Sequence, residues 1–77
     1  MKELTNSFVF SLYFDKRIKR ITVAEDKIAC RYELRVVMQD DFVITLFLDM
    51  FGFDEQQVIV ELREMIKQVY GGSIDNG

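Results

Sequence analysis

The chain has 77 residues, 49% of them apolar, with no proline, no histidine, one cysteine and a net charge of −3. That length allows one domain whose core supplies only about 3–5 kcal/mol, so small folds of this kind commonly rely on a disulfide, a metal or a second subunit. One cysteine excludes an internal disulfide framework, the lack of histidine argues against a structural zinc site, and the acidic balance argues against a dedicated nucleic-acid binder.

Met1–Thr5 reads as a loose lead-in. Phe8, Phe10, Leu12 and Phe14 then alternate with Val9, Ser11 and Tyr13, which predicts a first strand with an aromatic inner face. The same run is far too short to span a membrane, which takes about 20 apolar residues, and it has no small-residue cleavage site. A cytoplasmic location is the resulting expectation. Asp15-Lys16-Arg17 opens a turn. Ile18–Val23 reads as a second strand in which Ile21 and Val23 face inward and Ile18 falls out of phase, as a bulge or a loop there would allow. Ala24–Asp26 makes the next connection, with Val23 expected opposite Ile28 and Ile21 opposite Cys30.

The strongest pattern lies between Lys27 and Met50. Ile28, Cys30, Tyr32, Leu34, Val36 and Met38 alternate, and Phe42, Ile44, Leu46, Leu48 and Met50 do the same after Gln39-Asp40-Asp41. A three-residue turn over 39–41 keeps both apolar sets on one face, pairing Val36 with Ile44 and Leu34 with Leu46; a two-residue turn would send them to opposite faces. Asp41 then takes the left-handed position, which Asp tolerates better than most residues. The register also sets Arg31 opposite Asp49, an expected cross-strand ion pair.

Phe51-Gly52-Phe53 ends the strands. Asp54 follows as an N-cap, with Gln57 three residues on to complete a capping box, Phe53 and Val58 placed as a staple, and Glu55 at the positive end of the helix dipole. Val58, Leu62, Met65, Ile66 and Val69 form one apolar stripe, widened by Ile59 and Tyr70, and Gly71 supplies a left-handed stop. The predicted helix covers 54–70. The expected architecture is therefore a two-layer α+β domain over residues 1–70: a four-stranded antiparallel meander with one C-terminal helix across its inner face (ββββα), followed by a flexible tail, 71–77. Phe8, Phe10, Leu12, Ile21, Ile28, Tyr32, Leu34, Val36, Ile44, Leu46 and Leu48 are expected beneath the helical stripe.

Catalytic constellations are thin. Without histidine there is no imidazole base and no triad of the usual kind. Cys30, between Ile28 and Tyr32, reads as a small buried hydrophobe. Asp40-Asp41 is turn chemistry, Glu61 and Glu64 lie on a solvated helix side, Ser7 and Ser11 lack a base, and Gly71-Gly72 follows a helix rather than preceding one. The sequence therefore predicts no catalytic residue, no metal and no cofactor, and a non-enzymatic role.

Two features point to a partner. Val9, Tyr13, Val37, Val43 and Phe47 fall on the sheet face that one helix leaves uncovered, and the two expected edge strands lack the lysines and prolines that discourage edge pairing. The charge is also divided: residues 1–35 carry eight Lys/Arg and five Asp/Glu, residues 36–77 two and eight. The reading is a protein–protein interaction module (inhibitor, adaptor or assembly regulator), homodimeric through a sheet edge or the outer face. Val9, Tyr13, Val43 and Phe47 form its apolar contact, and Lys16, Arg17, Lys19 and Arg20 its basic rim. The alternative is nucleic-acid binding through that basic turn, where four cations lie beside Tyr13 and Phe14. No membrane role is expected.

Overall fold

Residues 31–49 form the hairpin on which the rest is laid. In the computed structural model, which describes residues 2–71, β2 (Arg31–Met38) pairs antiparallel with β3 (Val43–Asp49) in the expected register: Val36 opposite Ile44, Leu34 opposite Leu46, Tyr32 opposite Leu48. The Met38 N–H donates to the Phe42 carbonyl at 2.8 Å, and Asp41 takes φ 71°, the left-handed residue a three-residue turn demands. Leu34, Val36 and Met38 are wholly buried, so this inner row is the floor of the core.

The sheet has three strands, in the order β1-β2-β3, not the four expected. Phe8–Phe14 is not a strand. Its start forms a short helix, α1 (Asn6–Ser11), in which Thr5 Oγ1 accepts the Phe8 N–H at 3.1 Å and Leu12 is the C-cap. The reason lies in the spacing: positions 8, 10, 12 and 14 satisfy a period of two, but 8 and 12 also satisfy the i, i+4 period of a helix. Phe8 and Leu12 are buried, Phe8 packing against Phe53 in a tilted arrangement with ring centroids 5.6 Å apart, while Phe10 is 78% exposed. A Thr N-cap and a docking site for one face outweigh the strand preference of the aromatic residues.

The second correction concerns the pairing of β1 (Ile18–Asp26) with β2. Val23 lies opposite Leu34 and Ile21 opposite Val36, not opposite Ile28 and Cys30. The strand continues to Asp26, whose Oδ1 accepts the Ala29 N–H at 3.1 Å, and the turn closes on Cys30 at φ 55°. Ile28 consequently sits at the turn tip, 99% exposed, and Cys30 is half-exposed rather than buried on the inner face. Ile18 keeps its place through a bulge: the register shifts between Ile18 and Arg20, so Ile18 and Ile21, three apart, both point inward and are buried.

Helix α2 (Glu55–Tyr70) covers the inner face, and its start follows expectation in most details. Asp54 Oδ1 accepts from the N–H groups of Gln56 (3.0 Å) and Gln57 (3.4 Å); Gln57 turns its side chain to Glu61 instead of completing the capping box. Val58, Leu62 and Ile66 are buried, Met65 is half-buried, and Val69, expected in the stripe, is exposed. Gly71 ends the helix at φ 85°. The expected tail lies, beyond Gly71, outside the described residues. No helix among those residues is long and apolar enough to cross a membrane. The two-layer α+β character stands, as three strands and two helices.

Ile28→Ala separates this register from the four-stranded one, with Leu62→Ala as the buried control. Leu62→Ala, at a site with no exposure, lowers unfolding stability by about 2–5 kcal/mol, whereas Ile28→Ala stays within about 0.5 kcal/mol. Urea denaturation followed by circular dichroism reads both.

Candidate functional site

With most of the inner face covered by α1 and α2, the outer sheet face and the two sheet edges carry most of what remains. The two edges differ. On β1, the Ile21 N–H donates to Tyr13 Oη at 2.8 Å, so a phenol from the segment after α1 occupies the outward side of that strand. The same strand contains the bulge and four charges (Lys19, Arg20, Glu25, Asp26). Bulges and charges are standard protection against edge pairing. Tyr13 is therefore an edge plug, not an outer-face residue.

The β3 edge has no such guard. The bonds joining Met38 to Phe42 and Met50 to Cys30 place the even-numbered residues in the hydrogen-bonded pairs facing β2. Antiparallel alternation then turns the N–H and C=O groups of Val43, Thr45 and Phe47 outward. Among the described residues nothing pairs with them, since β3 has β2 as its one neighbour. No residue from Val43 to Leu48 carries a charge.

The outer face is uneven. Its β1 and β2 side carries charges that satisfy one another: Arg35 with Glu33 at 2.7 Å and Arg31 with Asp26 at 3.9 Å. Arg31 does face Asp49, as the register implies, but its ion pair is with Asp26 and its guanidinium lies 4.1 Å from the Phe47 ring centroid. The apolar part is confined to the β3 side, where Val43 is 46% and Phe47 52% exposed, with half-buried Val37 beside them. At the far end of β3 a shallow cleft of about 310 Å³, lined by Ala29, Cys30, Arg31 and Phe47, leads to exposed Phe51.

The eight residues singled out from the sequence thus do not form one surface. Val43 and Phe47 lie where expected. Val9 is half-buried against the core on α1. Arg20 shares the outer-face row of Val37 and Val43. Lys16, Arg17 and Lys19 lie at the β2–β3 turn end of the sheet, near Val43 and away from Phe47, where acids already engage two of them. Arg17 donates to both oxygens of Asp15 (3.0 and 2.6 Å), and Lys19 Nζ lies 2.5 Å from Asp41. Thr45, at the centre of the open edge, and Arg31, over the Phe47 ring, were not singled out. Thr45 was legible as an outward odd-numbered position, but the Arg31 contact needed three dimensions.

The Arg17 end forms a polar clasp on α2. The guanidinium lies 4.9 Å from the Tyr70 ring centroid, and Tyr70 Oη donates to Asp40 Oδ1 at 2.8 Å. The hydrogen bond from Arg17 holds the Asp15 carboxyl below its usual range, and those from Tyr70 and the Phe42 N–H do the same for Asp40. Desolvation, then the bond to Asp40, pushes the Tyr70 phenol up. The clasp joins the β1 entry, the β2–β3 turn and the end of α2. Among the described residues no group of three or more His, Cys, Asp or Glu is placed to hold a metal ion.

No family model, curated protein or solved structure matches the chain.

The clasp has a defined pH window. Asp15 and Asp40 have lowered values in the fold, so their contribution is present above the unfolded carboxylate pKa of about 3.9 and fades as pH falls through the folded values. Tyr70 has a raised value, so its contribution is complete below about pH 10 and fades as pH rises through the folded value. Amide exchange at Val69 and Tyr70, compared with Leu62 and corrected for intrinsic pH dependence, speeds up in acid. Tyr70→Phe shows the faster exchange already at neutral pH.

Proposed function

We propose that this chain is a non-enzymatic protein–protein interaction module, an inhibitor, adaptor or assembly regulator, that works as a homodimer through the β3 side of its sheet. The observation that carries the reading is the pairing of an uncharged strand edge, open at Val43, Thr45 and Phe47, with exposed apolar side chains at Val43 and Phe47 on the adjoining face. Apolar patches beside unpaired strand edges are typical docking surfaces. Arg31 and Arg20 border this patch and supply a polar rim.

The size of the fold supports the same reading. The inward corner at Val23 is 41% exposed beside a shallow pocket of about 240 Å³, so a core already modest in size is not fully enclosed. A non-enzymatic role is supported by the absence of histidine from the sequence and by the engagement of Asp15, Asp40 and Asp41 within the clasp. Nucleic-acid binding through residues 16–20 has less support. Arg17 and Lys19 are committed to Asp15 and Asp41, which leaves Lys16 and Arg20 without an acid within salt-bridge distance among the described residues. A cytoplasmic setting belongs to the same proposal and suits a single half-exposed thiol at Cys30.

Sedimentation velocity at micromolar concentration tests it. The parent protein sediments as a dimer of its 9.1 kDa chain, and Phe47→Asp as a folded monomer. A parent that stays monomeric at these concentrations removes the homodimer.

A further inference from the structure

We draw no further inference here: the strongest candidate, the open β3 edge at Val43, Thr45 and Phe47 with the apolar sheet face beside it, belongs to the surface already described, and nothing in the structure shows what covers it.

Discussion

The fold depends on the phase relation between β2 and β3. Their apolar residues share one face only if the turn between them adds an odd number of residues, and Asp41 in the left-handed region is what a three-residue turn requires. Once that phase is set, Leu34, Val36 and Met38 form a continuous buried row flanked by Ile44, Leu46 and Leu48. Helix α2 has one surface to dock on, and Val58, Leu62 and Ile66 meet it at helical spacing. A register slip of one residue would turn the entire set outward. The remaining elements adjust to this hairpin: β1 inserts a bulge so that Ile18 and Ile21 can both reach the inner face, and α1 brings Phe8 and Leu12 to its open side.

The two ends of the layered structure are fastened differently. Near the start of the chain the closure is mostly apolar and aromatic. Phe53 packs against Phe8 and Tyr32, and the Tyr32 hydroxyl donates to the Lys2 carbonyl at 2.9 Å. At the end of α2 the closure is polar, built from Arg17, Asp15, Tyr70 and Asp40. Surface-exposed pairs of the second kind contribute little each and are screened by salt. The polar end is thus the one that solution conditions reach first, while the hairpin and the α1 side hold by burial.

The same asymmetry governs what the surface can recognise. Tyr13 serves the fold and the surface together: as α1 turns toward β1, its hydroxyl takes the backbone donor that a foreign strand would otherwise use. Among the described residues nothing equivalent reaches β3, where the outer apolar residues are also concentrated. Because backbone hydrogen bonding and apolar contact coincide along one strand, the β3 side carries the interaction reading.

Much of this was legible from the residues alone. Alternation on both sides of Gln39-Asp40-Asp41 is enough to define the β2–β3 hairpin, its turn and its buried face, because a period of two sustained over five or six positions has no helical counterpart. Asp54 followed by an apolar stripe likewise locates α2 and its start. The segment Phe8–Phe14 was ambiguous, since a seven-residue run spaced by two contains the four-residue spacing of a helix. Only the space beside Phe53 and Tyr32, created by the packed sheet, decided that Phe8 and Leu12 would enter it as one helical face. The β1–β2 turn was decided in the same way. Apolar matching favoured Ile28 and Cys30 inside, but eight strand residues paired with β2 and an Asp26-capped turn outweigh the exposure of one isoleucine. Arg17 meets its acid, Asp15, two residues away, but the Lys19–Asp41 pair and the Arg17–Tyr70 contact were beyond reading along the chain. Arg17 and Lys19 acquire their roles from residues that the fold, and not their neighbours' order alone, brings beside them: Tyr70 and Asp41 lie far along the chain and close in space.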